Sequence, residues 1–455
     1  MKKLKKVTVL LLASVLAFCS CTFASAEAGP DLRALLTPED ADVWIQELFG
    51  AHPETLAESW KMTDQMKLAI ALSGGMQALA GSLAALGTPE QIASAREGKL
   101  QGYTAFFIPC VFPGMSIDLI LAVEDGAAAG LSTGPYSGNL PESAESSSFD
   151  SLPLSIPVAS PAGELPGTLT LPKGDGPFPA VVLVHGSGPN DRDETLVNLK
   201  PFRDLAEGLA AQGIAVYRYD KRTYVYREEA AADHQLTLME ETVEDAAAAV
   251  QLLAGQEKLD SSRIFVLGHS LGGNAIPAID QYLESQPVSA CGYILMAASP
   301  RPLEVLIREQ YDYLYSLQPE ITPAQQAQKE EVFHELDRLG ELDTLPEDTF
   351  LAGAFVPYWK WLASYDVLKT AASITEPCLL LQGEEDYQVT MEDFRLWLEA
   401  FGESPNWTLL SFHGLTHAFT PGLKTEGSAA YSRQAHVDPD VLQAIADFIL
   451  CPPTE

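Results

Sequence analysis

The sequence is poor in basic residues and has little cysteine. It contains 28 lysines and arginines against 62 acidic residues, a formal net charge of −34. Such a charge repels nucleic acid and anionic lipid, so it argues against partners of both kinds. Beyond the first 26 residues no segment is apolar enough to cross a membrane as a helix. A hydrophobic content of 47% is that of a soluble globular protein.

The six cysteines form no C-x-x-C pair, and no histidine-rich stretch accompanies them. This pattern argues against a zinc site, and we expect no metal and no other cofactor. Cys291 and Cys378 each open an apolar, strand-like run. Their placement favours buried free thiols, with one disulfide as the alternative in an oxidising compartment.

Residues 1–26 have the organisation of a secretory signal peptide. A lysine-rich start precedes a short apolar run, and Ala24-Ser25-Ala26 supplies the small residues of a cleavage site. Cleavage would remove four lysines and no acidic residue, changing the formal net charge from −34 to −38. We therefore expect a secreted, extracellular protein. Lipidation at Cys19 or Cys21 is the alternative, although the neighbouring aromatic residues suit it poorly.

Residues 27–135 predict a small α+β domain. The pattern over 31–86 is helical, and one helix starts at Pro38, with Thr37 as its cap. Two strands follow at 102–110 and 115–124, joined by a turn that contains proline and glycine. The domain contains no constellation of serine, histidine and aspartate.

The rest of the chain, residues 152–455, follows a Ser-, Gly- and Pro-rich connector at 136–151. Alternating runs at 154–158 and 164–171 predict an antiparallel pair at a sheet edge. The continuous apolar run Ala180–Val184 predicts a strand buried on both faces of a parallel sheet. Repeated strand and helix patterns then indicate an α/β fold, a mostly parallel sheet with helices on both faces and ligands at the carboxyl ends of the strands.

Residues 300–376 interrupt this alternation. The interval is far longer than an ordinary connection and is rich in helical pattern, including residues 324–339. We therefore predict a helical cap inserted over the site. We expect the four aromatic residues of this interval either to line a substrate pocket or to pack against the sheet. They are Tyr358, Trp359, Trp361 and Tyr365.

One serine has the surroundings of a nucleophile. Ser270 lies between Gly268 and Gly272, after an apolar run and before a helical pattern at 271–283. In such a G-x-S-x-G turn the serine adopts a strained backbone angle and stands exposed at the end of a strand, and the glycines permit the close approach of helix and strand. Ser270 is therefore the predicted nucleophile.

A serine hydroxyl needs a general base, and the base needs an acid that fixes its tautomer. The expected chain order is serine, acid, histidine. For the acid we choose Asp386, in the loop that follows the apolar run at 378–381. Glu384 and Glu385 in the same loop are the alternatives, read more simply as solvated charges.

For the base we choose His417, in the loop after the last predicted strand. His413 is the alternative, since it lies closer to that strand. His269, next to the nucleophile, is expected to face elsewhere, and His185 to shape the loop in which it lies.

A tetrahedral intermediate needs two N–H donors. The amide of Leu271, at a helix start, is the predicted first donor. The second comes from the loop after Val184, with Ser187 as our choice and Gly188 next. Ion pairs of the charged residues at 191–194 are expected to clamp this loop.

Together, His185-Gly186-Ser187-Gly188, the serine turn, Asp386 and His417 resemble the α/β-hydrolase family, in its dienelactone-hydrolase-like and serine-aminopeptidase-like branch. The likeness covers residues 152–455. Dienelactone hydrolases proper use a cysteine nucleophile, so Ser270 indicates the esterase and peptidase members. The preceding domain resembles, in layout only, the accessory domain of cystatin-like or NTF2-like shape found before secreted bacterial hydrolases.

The resemblance implies a serine hydrolase whose partner is a small-molecule ester or a peptide-like substrate. An esterase is our prediction, and a peptidase or aminopeptidase is the alternative within the same chemistry. The alternative from another class is a module that binds the cell wall through its first domain, with a slow hydrolase half. The oligomeric state is not encoded in any pattern we recognise.

Overall fold

The computed structural model describes residues 32–50, 52–63, 66–67, 70, 89, 91–100, 103–112, 115–135, 148–159, 162–318 and 321–451. The chain divides into two compact units, Met1–Pro141 and Glu142–Glu455. The predicted leader and residues 136–147 of the predicted connector lie outside the described residues. Within the described ranges, no helix has both the length and the apolar character needed to traverse a bilayer.

In the first unit, an antiparallel sheet packs against short helices. The helices are α1 (Pro38–Leu48) and α2 (Leu56–Ser59), with a 3-10 turn at Pro53–Thr55; the strands are β1 (Gln91–Ile92), β2 (Arg96–Leu100), β3 (Tyr103–Phe112), β4 (Met115–Glu124) and β5 (Ala127–Pro135). The strand order is β1-β3-β4-β5, and β2 also pairs with β3. Trp44 and Trp60 from the helical segment share one core with Phe106 and Leu119 of the sheet.

The predicted α+β character of this unit is confirmed, with more strand than we expected. Thr37 caps α1 as predicted: its hydroxyl accepts the Asp40 amide at 3.2 Å, and the Asp40 carboxylate accepts the Thr37 amide at 2.9 Å. The two predicted strands correspond to β3 and β4. We missed β5, whose sequence is rich in alanine and glycine and lacks β-branched runs. Of the helical pattern predicted up to residue 86, all of 71–86 lies outside the described residues.

The second unit contains twelve strands in its described ranges. They are β6 (Phe149–Pro153), β7 (Ile156–Ala159), β8 (Ala162–Leu165), β9 (Gly167–Pro172), β10 (Phe178–Val184), β11 (Ala215–Tyr219), β12 (Leu259–His269), β13 (Gly292–Met296), β14 (Phe350–Leu351), β15 (Ala354–Phe355), β16 (Cys378–Gly383) and β17 (Trp407–Phe412).

The helices of this unit are α3 (Pro201–Ala210), α4 (Arg222–Val225), α5 (Arg227–Ala232), α6 (Glu244–Ala254), α7 (Leu271–Leu283), α8 (Leu303–Ser316), α9 (Pro323–Asp337), α10 (Val356–Ser364), α11 (Val367–Ala371), α12 (Met391–Phe401) and α13 (Pro439–Leu450). A π-helical turn, Met239–Val243, leads into α6, and 3-10 segments lie at Arg338–Glu341 and Lys424–Ser432.

Eight strands form the main sheet, in the order β17-β16-β13-β12-β10-β11-β9-β6. Neighbours from β17 to β11 are parallel, whereas β9 runs antiparallel to both β11 and β6. The predicted mostly parallel sheet is therefore confirmed. Because parallel strands end on the same side, the loops after β10, β12, β16 and β17 meet at one edge of the sheet.

The antiparallel pairing predicted from 154–158 and 164–171 is confirmed in part, but its predicted place at the edge of the sheet is wrong. β7 pairs with β8 in a separate hairpin, while β9 enters the main sheet between β11 and β6. Pro166 separates β8 from β9, because a residue without an N–H interrupts a strand ladder. The sheet also begins earlier than predicted, since residues 149–151, which we assigned to the connector, lie in β6.

Helices cover both faces of the sheet, as predicted for a strand pattern apolar on both sides. Val182 and Val184 of β10 lie in the core that contains α6 and α7 residues. Val181 and Leu183 lie in the core that contains α3 and α13 residues. Successive residues of a strand point to opposite faces, so both faces of β10 must be apolar.

The predicted helical insertion is confirmed between β13 and β16, where it comprises α8 to α11 and the β14-β15 hairpin. The helix expected over 324–339 is α9, Pro323–Asp337, and Thr322 caps it by accepting the Gln325 amide at 3.3 Å. Residues of this insertion form part of the wall of the cavity described below.

The four cysteines of the described chain are free thiols. Cys378 is buried and Cys291 half-buried. Burial raises the pKa of Cys110 to about 12 and that of Cys291 to about 11, which keeps both protonated at neutral pH. The described residues hold no group of three or more histidine, cysteine or acidic side chains placed to bind a metal.

Candidate active site

Ser270 lies in the turn between β12 and α7, at the carboxyl edge of the sheet. Its backbone angles are φ 55° and ψ −118°, a region that residues with a side chain rarely adopt. Its amide donates a hydrogen bond of 2.9 Å to the Met296 carbonyl of the neighbouring strand. Such a conformation costs about 1–3 kcal/mol and persists only where the surroundings impose it.

Two glycines make this turn sterically feasible. A Cβ added to Gly268 would lie 2.2 Å from the Gly272 carbonyl oxygen, and one added to Gly272 would lie 2.3 Å from the Val184 carbonyl oxygen. Both contacts are with backbone, which cannot rotate away as a side chain can. The close approach of β12, α7 and the end of β10 therefore requires glycine at both positions.

Asp386 and His417 meet in a buried contact. Nδ1 of His417 lies 2.6 Å from Oδ2 of Asp386, and both side chains are at most 5% exposed. The other carboxylate oxygen of Asp386 accepts the backbone amides of Gln388 and Val389 at 2.7 and 3.0 Å. A carboxylate held in one orientation in this way can fix the imidazole tautomer, with Nδ1 protonated and Nε2 free to accept a proton.

The alternative acid and base lie at the surface. The His413 side chain is 90% exposed, and its Nδ1 lies 3.1 Å from Oε2 of Glu384. Hydrogen bonds from Ser411 and His413 lower the pKa of Glu384, as expected of a solvated ion pair. Glu385 accepts the backbone amide of Lys424. None of these three candidates contacts the Asp386 carboxylate or the His417 ring in the described chain.

His417 lies against the residue next to the serine. The His269 Nε2 is 2.9 Å from the His417 carbonyl oxygen, and the two ring centroids are 4.7 Å apart. Within the described residues, no hydrogen bond joins Ser270 Oγ to the His417 ring. In free enzymes catalytic hydrogen bonds are often long and tighten only when substrate binds. The structure thus joins the predicted acid to the predicted base, and it places the His417 loop against the serine turn.

The loop after β10 passes directly beside Ser270. A Cβ added to Gly186 would lie 3.1 Å from the Ser270 Cβ. The Gly186 amide is engaged, because it donates to Glu194 Oε1 at 2.6 Å. Ser187 and Leu271 both line the cavity at Ser270, and the Leu271 amide is the first of α7, so no carbonyl of its own helix accepts it.

The ion pairs expected in this loop are present in part. Arg192 pairs with Asp220 at 2.7 Å, and Asp193 pairs with Lys200 and Arg218. Asp191 instead accepts hydrogen bonds from backbone amides and the Thr195 hydroxyl, at 2.7 Å for the latter. The loop is therefore held by its own charged residues against the strands beside it.

Sequence reasoning missed the role of His269, which does not simply face away. Its Nδ1 lies 2.8 Å from Oε2 of Glu194, and both side chains are at most 5% exposed. Burial lowers the pKa of His269, but the Glu194 carboxylate outweighs burial and raises it. Glu194 and His269 together connect the Gly186 amide to the His417 carbonyl. No pattern in the sequence links a glutamate in one loop to a histidine at the end of a strand far along the chain.

A cavity of about 940 Å³ reaches Ser270. Three of the four aromatic residues singled out above line it, whereas Trp361 packs against the core. Apolar residues of the cap supply much of the remaining wall: Leu303, Leu306, Ile307 and Leu362. A cavity of this kind suits a ligand with an apolar part and a polar reacting group.

The amino-acid sequence is similar to those of known proteins. A family model described as serine aminopeptidase, S33, matches residues 177–421. The chain is 38% identical to Esterase EstD of Thermotoga maritima over 311 residues, which make up 68% of this chain and 70% of that relative.

Solved structures with a similar chain course include two esterases. One, from Pyrococcus furiosus, is 17% identical and covers 67% of this chain and 92% of its own, with a TM-score of 0.42. The other, Est1E from Butyrivibrio proteoclasticus, is 17% identical and covers 66% of this chain and 97% of its own, with a TM-score of 0.41.

The glycine contacts generate a first prediction. Gly268→Ala places a methyl group against the Gly272 carbonyl, so we expect it to cost about 1–3 kcal/mol of stability and to displace Ser270. Chemical unfolding and labelling of Ser270 by a fluorophosphonate measure the two effects. Gly340→Ala is the matched control, since its added Cβ meets nothing within 4 Å. Equal behaviour of the two variants would contradict the steric account.

A second prediction concerns pH. Burial lowers the pKa of His185 from 6.5 to about 4, and the ring packs between Phe202 and Tyr219. In the unfolded chain His185 binds a proton near pH 6.5, whereas in the folded chain it binds one only near pH 4. The free energy of unfolding therefore has its full value above pH 6.5 and falls by up to about 3 kcal/mol as the pH decreases to 4.

The variant His185→Phe removes this proton-binding group and keeps a buried ring. Urea unfolding at a series of pH values should show its stability increasing relative to wild type between pH 6.5 and 4. A difference between the two proteins that does not change with pH would refute the assignment.

Proposed function

Because this chain belongs to the serine aminopeptidase S33 family of α/β-hydrolases, we propose that it is a secreted serine hydrolase that cleaves carboxylic esters through an acyl-enzyme on Ser270. The observation that carries the proposal is the buried contact of 2.6 Å between Asp386 and His417 beside a strained serine turn. The 38% identity to an esterase supports the reaction class.

In the acylation step, Ser270 Oγ attacks the carbonyl carbon of the ester. His417 Nε2 accepts the hydroxyl proton, and Asp386 stabilises the imidazolium through Nδ1–H. The carbonyl electron pair moves onto oxygen, which accepts hydrogen bonds from the Leu271 and Ser187 amides. The intermediate then collapses, the bond to the alcohol oxygen breaks, and His417 returns its proton to that oxygen.

In the deacylation step, a water molecule replaces the alcohol. His417 removes a proton from the water, whose oxygen attacks the acyl carbon of the Ser270 ester. The same two amides donate hydrogen bonds to the new oxyanion, and the proton passes from His417 to Ser270 Oγ as the acid leaves. This step regenerates the free hydroxyl of Ser270.

The cavity favours an ester over a peptide with a free amino terminus. Of the carboxylates that line it, Glu241 is the buried one, and it already binds Lys221 Nζ at 2.9 Å and the Tyr358 hydroxyl at 2.7 Å. It is therefore not available to pair with a substrate ammonium group. Leucine, isoleucine and aromatic side chains supply much of the remaining wall and suit an apolar acyl or alcohol group.

Secretion rests on the predicted leader alone. We propose release after Ala26, so the mature protein begins at Glu27. Mass spectrometry of protein from the culture medium identifies that terminus, and a lipid-modified Cys19 or Cys21 in the membrane fraction would contradict it.

The triad assignment is tested by fluorophosphonate labelling and ester turnover. Ser270→Ala should abolish labelling, and Asp386→Asn and His417→Ala should each lower the acylation rate by about 10⁴-fold, because the base is lost or held in the wrong tautomer. Glu385→Gln and His413→Ala are the matched controls from the same two loops. A larger loss in either control than in its partner would reverse the assignment.

The choice between ester and peptide is tested by a substrate screen. We expect p-nitrophenyl esters of different acyl lengths to be hydrolysed faster than aminoacyl anilides by at least about 100-fold in kcat/KM, since Glu241, the buried carboxylate among the described lining residues, is already engaged by Lys221 and Tyr358. A preference for the anilides would favour the aminopeptidase alternative. Absence of labelling and turnover in the wild type would favour a binding module.

A further inference from the structure

Lys221 is a buried cation beside the proposed oxyanion site. It follows β11, and its side chain is only 2% exposed. Its ammonium group contacts the Gly186 carbonyl oxygen at 2.8 Å and Glu241 Oε1 at 2.9 Å. Lysine is almost never fully buried, because removing an ammonium group from water costs several kcal/mol. The contact with a backbone carbonyl next to Ser270 therefore calls for a functional explanation.

The carbonyl that Lys221 binds belongs to the peptide group that carries the Ser187 amide. This peptide is trans, since the one cis bond of the described chain lies at Gly176-Pro177. In a planar trans peptide the C=O and the following N–H point in opposite directions. A side chain that holds the Gly186 carbonyl on one side therefore aims the Ser187 N–H to the other side.

Neighbouring groups hold the same segment from other directions. The Asn190 amide nitrogen donates to the carbonyl oxygens of Gly186 and Ser187 at 3.2 and 3.1 Å, and the Lys221 backbone amide donates to the Asn190 carbonyl at 3.0 Å. Glu194 holds the Gly186 amide at 2.6 Å. Lys221 is the group among these that brings a positive charge to the carbonyl oxygen.

We propose that Lys221 is a positioning residue of the oxyanion hole: its ammonium fixes the Gly186–Ser187 peptide with the Ser187 N–H directed at the oxygen of the tetrahedral intermediate. This inference rests on the proposed acyl transfer at Ser270. The positive charge also polarises the peptide, which makes its N–H a stronger donor in a low-dielectric site. Lys221 does not touch the substrate and acts through the backbone.

Glu241, which carries the negative charge opposite Lys221, connects the loop after β10 to the cap. Glu241 lies in the π-helical turn before α6, a type of irregularity frequent at functional sites. Its carboxylate binds Lys221 through Oε1 and the Tyr358 hydroxyl of α10 through Oε2. The ion pair neutralises Lys221 without removing it from the carbonyl, so the buried charge remains balanced.

Removal of Lys221 should affect the chemical step and not substrate binding. Without the ammonium group, the Gly186 carbonyl keeps only the longer, neutral contact of 3.2 Å from Asn190. Gly186 has no Cβ, so the peptide is then less firmly held in the orientation that directs the Ser187 N–H at the oxyanion. Loss of one oxyanion donor lowers kcat by about 10²–10³-fold in serine hydrolases. A misdirected but still present donor should cost about 100-fold in kcat, with KM changed by less than about threefold.

The test compares Glu241→Gln with the double variant Lys221→Met/Glu241→Gln, so that no buried carboxylate is left unpaired. In the double variant, kcat for a p-nitrophenyl ester should be about 100-fold lower than in Glu241→Gln. The affinity for a trifluoromethyl ketone should fall by a similar factor. With this probe Ser270 Oγ bonds to the carbonyl carbon, its proton passes to His417, and the carbonyl oxygen becomes the bound oxyanion.

The matched control removes a neighbouring buried ion pair whose two residues lie outside the cavity lining. Arg222 Nη2 lies 2.6 Å from Asp245 Oδ1. In Arg222→Met/Asp245→Asn, kcat per folded molecule and ketone affinity should stay within about threefold of wild type. Folded protein is quantified by circular dichroism and thermal unfolding in every variant.

Three results would overturn the proposal: a double variant that matches Glu241→Gln in kcat, a fall in kcat without loss of ketone affinity, or an equal fall in the control. If the double variant does not fold, Lys221→Gln replaces it, compared with wild type. A fall of at least about tenfold in kcat at unchanged KM supports the role, and any smaller fall overturns it. A wild-type protein that no fluorophosphonate labels would overturn the proposed function itself, whereas an active wild type with active Lys221 variants overturns only this inference.

Discussion

The close backbone crossing beneath Ser270 is the constraint on which the rest of the site depends. Gly268 and Gly272 approach so tightly that any Cβ would overlap a carbonyl group. This crossing holds Ser270 at positive φ, which costs about 1–3 kcal/mol locally. The packing of the core offsets this cost, because β12 is a central strand with parallel neighbours on both sides and α7 packs against it.

Buried charges organise the loops around that crossing. Glu194 faces His269, whose pKa it raises, and Glu241 faces Lys221, so each of these two buried carboxylates has a basic side chain close by. Breaking such a pair leaves an uncompensated charge and costs several kcal/mol, which makes the loops hard to displace. Through these pairs the loop after β10 is connected to the serine turn, to the His417 loop and to the cap.

The sequence predicted the central part of the fold well and its periphery less well. Continuous apolar runs such as Ala180–Val184 identify buried parallel strands, because a strand covered on both faces has no polar positions. The edge near Pro166 was misread, since short alternating runs do not show which strand they pair with. The alanine- and glycine-rich β5 was missed because pairing with β4, and not propensity, makes it a strand.

What the sequence by itself determined is the serine turn and its context, because the glycine requirement, the apolar strand and the following helix are local properties of adjacent residues. The sequence left open which acid meets which histidine, since both histidines lie in one loop and all three acids in another. Tertiary structure decided that question by burying Asp386 against His417 and leaving Glu384 and His413 in solvent. It also created the Glu194–His269 and Lys221–Gly186 contacts, which arise only when strands distant in sequence bring their carboxyl ends to one edge of the sheet.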